Sequence, residues 1–550
     1  MKCPNPFIRR ENTVCLDGAW LYSVYGKNGE KVYESTIMVP FCPESVKSGV
    51  KRRTESFERM EYTKNVRIDR KKNKRYILTF LASDSSSCLF INGKAVSEHD
   101  CGYLPFSSDI TSFFEGDSFE IKLVVKDELL ENEKPRGKQS IKPHRIWYER
   151  TSGIYMSVFL EEVEKSYVSS IFYTPLEDLS GVRVLAVTND GEIKKAIATI
   201  GGKSYEIKTN VASVIRPDEI RLWSPDDPYL YFLRIKAGED EFDSYFALRK
   251  IEIKDDEKGI KRLFLNGNNC FCHGILNQGY YPDALLTGCE EDFISDIRKA
   301  KSMGFNMMRI HIKIENPLFY YHADCIGMLI WQDFVNGGGK YNSALITLPV
   351  FLSFKIKDNH YRLLSRRDEN ERNAFITFCQ NTVLHLYNHP SIIEWTIFNE
   401  GWGQFDSRKI TQIIKRTDSS RLIDSASGWF DQGSGDFESH HVYFRKFKAK
   451  RKKRSRALAL TEYGGYGLDL SGRKMTFSYK KIKDSRSLER EFIKGVRESV
   501  KENIEKGLVA SVYTQLCDVE GEKNGLLDEN HDMKVNPEAL RKSAEELIRC

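Results

Sequence analysis

The chain has 550 residues, too many for one ordinary domain, with a formal net charge of +6 and a mean hydropathy of −0.47. So small a charge at this length argues against a nucleic-acid protein, and no apolar run reaches the roughly 20 residues that cross a membrane. The 12 cysteines are scattered, with Cys270 and Cys272 the closest pair and no Cys-x-x-Cys. That pattern favours reduced, mostly buried thiols over a disulfide framework or a zinc site. No apolar signal-type segment follows Met1, so a cytoplasmic location is expected.

Residues 1–163 alternate apolar and polar positions between frequent turns, as in Arg75-Tyr-Ile-Leu-Thr-Phe80 and in Cys88-Leu-Phe-Ile91 before Asn92-Gly93. This predicts an antiparallel β-sandwich. Residues 164–252 give a second strand series of sandwich size, including Val182-Arg-Val-Leu-Ala-Val187 and Leu230-Tyr-Phe-Leu-Arg-Ile235. From 253 to 550 apolar strands alternate with helical stretches. The strand candidates are Phe271–Ile275, Met307–His311, Met328–Gln332, the run ending at Glu400, Arg421–Ser425, His440–Tyr443, the run ending at Glu462, and Leu508–Tyr513. Eight strands in that length predict a parallel (β/α)8 barrel, with too few residues between Tyr443 and the next strand for a full sixth helix. Those residues hold the basic run Arg445–Arg456, either a solvated loop or a rim attracting anionic glycans.

Two carboxylates stand out. Glu400 closes Ser391-Ile-Ile-Glu-Trp-Thr-Ile-Phe-Asn-Glu400-Gly-Trp402, and Glu462 closes Ala457-Leu-Ala-Leu-Thr-Glu462-Tyr-Gly-Gly465. Each sits where a buried strand meets a glycine-containing loop, the C-terminal rim on which barrel active sites gather. Paired carboxylates there suggest glycosidic bond hydrolysis.

The chain resembles glycoside hydrolase family 2, which includes β-galactosidases, β-glucuronidases and β-mannosidases. The resemblance rests on Tyr387-Asn-His-Pro-Ser-Ile-Ile-Glu-Trp395…Asn399-Glu400, on Thr461-Glu462-Tyr-Gly, on Asn306-Met-Met-Arg309 and Asp324–Trp331, on Gly102–Phe106 with Asp109–Thr111, on Arg150-Thr-Ser-Gly-Ile154, and on Leu222–Tyr231. It implies a jelly-roll sugar-binding-like domain, an immunoglobulin-like sandwich and a catalytic TIM barrel. It also implies a retaining exo-glycosidase, with Glu400 as acid/base and Glu462 as nucleophile. Asn399 would bind the sugar 2-hydroxyl, Arg309 would hold Glu462 ionised, and Tyr443 would donate to it. His311, Asp333 and Asp283 are candidates for sugar hydroxyls, and Trp402, Trp429 and Trp147 for stacking on sugar faces. A packed histidine, a loop-capping aspartate and a core tryptophan are the plainer readings of those residue types.

Several positions depart from the family pattern. Glu394 replaces an apolar residue. Trp147 replaces an aspartate that reads a sugar hydroxyl in many members. Tyr513, at the end of the eighth strand, stands where a tryptophan is usual, which would alter the floor of the pocket. Glu522-Lys-Asn-Gly525 lacks the Asn-x-Lys order with which glucuronidases hold a uronate, so a β-galactoside is the first expected substrate. Glucuronidase, mannosidase and arabinosidase activities stay open, as does a non-catalytic carbohydrate-binding protein or a basic scaffold recruiting an anionic partner. No cofactor is required by the chemistry; magnesium or sodium follows from the resemblance alone. The expected partner is a carbohydrate, with neither nucleic acid nor membrane, and homo-oligomers occur in the family.

Overall fold

The computed structural model describes residues 3–548, except 130–132, 343, 346–347, 351–353, 451–453, 471–474 and 476. Two antiparallel sheets open the chain, one of six strands and one of four, with strands between Thr13–Cys15 and Val158–Glu164. Their alternating strands close on Trp20, Tyr22, Leu78, Phe80, Ile121 and Leu123. A three-stranded and a four-stranded sheet follow, from Val168–Pro175 to Asp240–Phe246. Their core of Val184, Trp223, Ile235 and Phe246 is continuous with the inner residues of the barrel, such as Met307, Trp331 and Phe437.

The barrel has eight strands: β1 (Cys272–Asn277), β2 (Met307–Ile310), β3 (Leu329–Asp333), β4 (Ile392–Thr396), β5 (Leu422–Asp424), β6 (Phe437–Val442), β7 (Ala457–Gly464) and β8 (Leu508–Thr514). Their order is β5-β4-β3-β2-β1-β8-β7-β6, every neighbouring pair is parallel, and the ladder is open between β5 and β6. Among the described residues, six helices of ten residues or more pack outside it: α1 (Glu290–Ser302), α2 (Pro317–Ile326), α3 (Glu369–Leu386), α4 (Ser407–Thr417), α5 (Ser485–Gly495) and α6 (Pro537–Ile548). Helix α2 shows how local sequence sets the ends. Asn316 accepts from the Leu318 amide at 3.0 Å, Pro317 opens the first turn, and Gly327 closes it at φ +79°. A Cβ on Gly327 would lie 2.4 Å from the Pro225 carbonyl, so the helix end meets the middle sandwich only as glycine. Between β6 and β7 no helix is formed among the described residues.

Two sets of contacts fix the barrel against the sandwiches. At the N-terminal end of β4, Asp324 accepts from the Tyr245 hydroxyl at 2.8 Å and the Ser391 amide at 3.0 Å and meets His389 Nδ1 at 2.6 Å, while Arg249 donates to the Pro390 and Ile392 carbonyls at 3.0 and 2.6 Å. The Tyr387–Ser391 half of the sequence signature therefore anchors the strand at the end remote from Glu400. At the C-terminal rim, the Arg136 and Gly137 amides both donate to the Asn336 carbonyl at 3.0 Å, and the Tyr148 hydroxyl donates to Glu522 at 2.5 Å. The first sandwich thus reaches over the loops that follow β3 and β8.

Candidate active site

Strict alternation along β7 would put Glu462 on the same face as Leu458 and Leu460, which point to the helix layer. The ladder prevents this. His440 pairs with Leu460 and His441 with Glu462, so Thr461 is an extra residue and β7 is bulged. The bulge turns Glu462 inward to the side of Ala457 and Ala459. A similar shift in β4, where Ile330 pairs with Ile392 and Trp331 with Glu394, brings Glu394 inward. Glu400 comes from the loop beyond β4. Its φ is +49° and that of Gly401 +73°, and a Cβ on Gly401 would stand 2.4 Å from the Phe430 ring.

The two carboxylates meet. One oxygen of Glu400, one of Glu462 and one nitrogen of His441 lie within 4.8 Å of one another. The Tyr443 hydroxyl lies between the pair, donating to Glu462 Oε2 at 2.6 Å with Glu400 Oε1 at 3.3 Å. His441 Nδ1 is 2.8 Å from Glu400 Oε1 and 3.7 Å from Glu462 Oε1, and its Nε2 is 3.1 Å from Ser427 Oγ. Arg309, fully buried, donates to Asp333 Oδ1 at 2.9 Å, Asn399 Oδ1 at 2.8 Å, the Thr461 carbonyl at 3.1 Å and Glu462 Oε1 at 3.4 Å. Asp333 spends its second oxygen on His311 Nδ1 at 2.7 Å. Asp333 and Arg309 therefore orient the groups around them.

Burial pushes the Glu462 carboxyl up, but the pull of His441, His311 and Arg309 with the Tyr443 hydrogen bond outweighs it and holds the group at about 2. Burial, with Lys138 and Arg309 nearby, takes His311 well below its usual range, against the opposing pull of Glu462. Burial keeps the Tyr443 hydroxyl protonated far above the usual tyrosine range. Deeper in the barrel, burial and the charges of Asp424 and Asp333 raise Glu394 well above an ordinary carboxyl, and burial raises Asp424 to about 6.

The other expected residues divide. Trp402 and Trp147 meet at 5.1 Å between ring centres beside Tyr341, and Trp402 is 6.3 Å from His311. Trp429 lies 5.4 Å from the His441 ring, in the wall of a cavity of about 560 Å³ shared with Phe430, Tyr443 and Phe444. Asp283 is not brought into the cluster: it is exposed, and its backbone carbonyl accepts from the Lys47 amide at 2.9 Å. Tyr513 is not at the floor of the site. It faces the helix layer against Phe492 (4.9 Å) and Tyr463 (5.7 Å), while its neighbour Val512 and Ala510 before that belong to the inner core of the barrel. Thr514 faces the site instead, its hydroxyl 3.4 Å from Glu462 Oε2. His441 was missed by the sequence reading although it stands two residues from Tyr443, a spacing that puts both on one strand face. In the basic run, 451–453 lie outside the described residues; Lys446, Arg454 and Arg456 pair with Glu502, Glu438 and Asp431.

Among the described residues, two clusters have donor spacing for a cation: Glu400–His441–Glu462 and Asp296–Cys517–His531. Each includes a nitrogen or sulfur donor, whereas magnesium takes oxygen, so neither cluster fits magnesium. In the second, His531 Nε2 is held by the Tyr280 carbonyl at 3.0 Å, and burial raises the Cys517 thiol to about 11.

A parallel barrel with two sandwiches before it, and a polar cluster built from β2, β3, β6, β7, β8 and the loop after β4 at its C-terminal rim, defines the class of chain. Residues 257–515 match the model of the TIM barrel domain of glycosyl hydrolases family 2, so the barrel is a domain of that family. It is 24% identical over 393 residues to a β-galactosidase of Thermoanaerobacter pseudethanolicus, covering 66% of this chain and 47% of that protein. It is 23% identical over 446 residues to a putative β-glucuronidase of Formosa agariphila, covering 72% and 48%. The chain spans about half the length of these curated relatives. Among solved structures, a β-D-glucuronidase of Dictyoglomus thermophilum matches with a TM-score of 0.78 at 16% identity over 99% of both chains. A β-galacturonidase of Eisenbergiella tayi bound to galacturonate matches with 0.74 at 17% identity, again over 99% of both. These likenesses establish the shared fold. No helix among the described residues is long and apolar enough to cross a membrane.

Proposed function

We propose that this chain is a retaining exo-acting β-glycosidase. The observation that carries the reading is the pair of carboxylates with oxygens within 4.8 Å, bridged by the Tyr443 hydroxyl. A spacing of about 5–5.5 Å leaves no room for a water behind the sugar and favours direct attack by one carboxylate. Glu462, ionised at any pH above about 2, attacks the anomeric carbon. Glu400 passes its proton to the leaving oxygen, then takes one from the water that cleaves the glycosyl ester. Arg309 holds Asn399 by its carbonyl oxygen, which leaves Nδ2 as the free end, buried and without an acceptor. That donor suits the sugar 2-hydroxyl, where a hydrogen bond strengthens in the transition state. The segment of the first sandwich that crosses the rim supports a pocket taking a chain end. The cavity beside His441, Trp429 and Phe444 suits the leaving group, which must lie next to its acid. Relatives named β-galactosidase and β-glucuronidase make neutral β-hexosides and their uronic acid forms the first substrates to try.

The test is a panel of nitrophenyl α- and β-glycosides, followed by NMR of the first sugar released. Turnover of a β-glycoside with the β-anomer released first, lost in Glu462→Gln and weakened in Glu400→Ala, is expected. An α-anomer as first product, or full turnover in Glu462→Gln, would overturn the assignment.

A further inference from the structure

Four lysines are buried among the described residues: Lys138, Lys313, Lys523 and Lys534. Three have carboxylates, Lys313 with Glu315 at 3.1 Å, Lys523 with Glu529 at 2.8 Å and Lys534 with Asp518 at 2.8 Å. Lys138 is only 7% exposed, yet among the described residues its ammonium has neither an ion pair nor a hydrogen bond. A buried charge is costly unless paired, so an unpaired one marks a place where a ligand supplies the partner.

Its position is built in. Gly137 has φ +63°, and a Cβ there would lie 2.7 Å from the Ile312 carbonyl, so only glycine lets the segment sink this far into the barrel mouth. The Lys138 Nζ then lies 5.5 Å from the centre of the Tyr148 ring and 6.0 Å from that of Trp402, two residues beyond Glu400. Glu522 is near enough to feel its charge, as is His311, but not within ion-pairing distance. Both Glu522 oxygens already have donors, the Tyr148 hydroxyl at 2.5 Å and Asn524 Nδ2 at 2.9 Å. Around the same site Asn399 Nδ2 and Trp402 Nε1 are buried donors without acceptors. The unpaired groups are thus donors with one full positive charge among them.

We propose that Lys138, delivered by the first sandwich, is the specificity-determining cation of the sugar pocket, and that the terminal sugar it reads carries a carboxylate, as a hexuronic acid does. This rests on the glycosidase reading. A neutral sugar leaves the ammonium without a counter-charge; a carboxylate provides a charge-assisted hydrogen bond. Such a bond corresponds to roughly 10- to 150-fold in kcat/KM.

The experiment compares nitrophenyl β-glucuronide and β-galacturonide with the matching β-glucoside and β-galactoside. The readout is the ratio of acidic to neutral kcat/KM in wild type, Lys138→Met and Lys138→Arg, each checked for a cooperative melt. The proposal expects a ratio well above one, its collapse by roughly 10- to 150-fold in Lys138→Met, and its partial return in Lys138→Arg. A wild-type ratio below one, or one unmoved by Lys138→Met, overturns it. If no glycoside is hydrolysed, the glycosidase reading fails, and calorimetry with free hexoses and hexuronic acids on the Glu462→Gln chain decides about Lys138. Acid-selective binding abolished by Lys138→Met supports the proposal; equal binding or none overturns it.

Discussion

Tyr443→Phe removes one hydroxyl and little else. The ring is 8% exposed and stacks on Tyr479 at 3.8 Å between centres and 3° between planes, so the phenylalanine keeps its packing. What is lost is the 2.6 Å hydrogen bond to Glu462 Oε2, leaving that oxygen only the Thr514 hydroxyl at 3.4 Å. A hydrogen bond to an ionised group is worth about 1.5–3 kcal/mol. At 1.36 kcal/mol per factor of ten, kcat/KM on a β-nitrophenyl substrate should fall roughly 10- to 150-fold. Part of the effect is directional, because the same hydroxyl lies 3.3 Å from Glu400 and keeps the two carboxylates in a fixed relation. Since burial keeps the hydroxyl protonated well above the usual tyrosine range, the deficit should be the same throughout pH 5–9. The assay is initial-rate kinetics across that interval, with a melting curve for each protein. A folded Tyr443→Phe enzyme with kcat/KM within threefold of wild type would refute the reasoning, as would a deficit confined to one end of the pH range.

Further outcomes are expected at other positions. Glu462 is depressed to about 2, below its unfolded value, so its ionised form stabilises the fold above pH ~4 and that contribution is lost as pH falls through about 2. Glu462→Gln should therefore lower Tm at pH 7, by a margin that shrinks in acid; a constant margin from pH 7 to 3 counts against the ion-pair account. Glu394 is the opposite case. Burial raises it above its unfolded value, so its penalty grows as pH climbs between the two, and Glu394→Gln should gain Tm relative to wild type from pH 5 to 9. A relative loss over that range would mean that the charge is needed. Tyr513→Phe deletes a hydroxyl with no partner and should leave kcat within twofold, whereas Thr514→Val should lower it several-fold; the reverse ranking would restore Tyr513 to the pocket. Gly401→Ala drives a methyl into Phe430 at φ +73° and should cost about 1–3 kcal/mol in denaturant melts while lowering kcat by displacing Glu400. A stable, fully active Gly401→Ala would show that the loop has slack.

What could be read from the sequence follows the range of the signals. Alternation at period two and the later strand–helix rhythm are local, and they suffice for two sandwiches followed by a parallel barrel. Glu400 and Glu462 were visible because an acid at the end of an apolar run is unusual wherever the run is buried. The direction of Glu462 was not visible, because period-two alternation continued from Leu458 and Leu460 points it at the helices. Only the unpaired Thr461, a property of the ladder between β6 and β7, turns it inward. Tyr513 fails for the matching reason. Likeness to a family position suggested an inward residue, but from Ala510 onward β8 runs in unbroken register with β1, so Tyr513 joins Phe492 and the next residue, Thr514, reaches Glu462. Asp283 shows that a place after the right strand is too coarse a rule, since its loop leaves the carboxylate in solvent. Lys138 had no local signal at all. It lies 262 positions before Glu400 in the sequence, and its meaning comes from a glycine that admits it to the barrel mouth and from the lack, among the described residues, of a carboxylate within ion-pairing distance. A lone lysine in a polar stretch is ordinary in one dimension; beside three buried lysines that all have partners, it is the exception that needs a ligand.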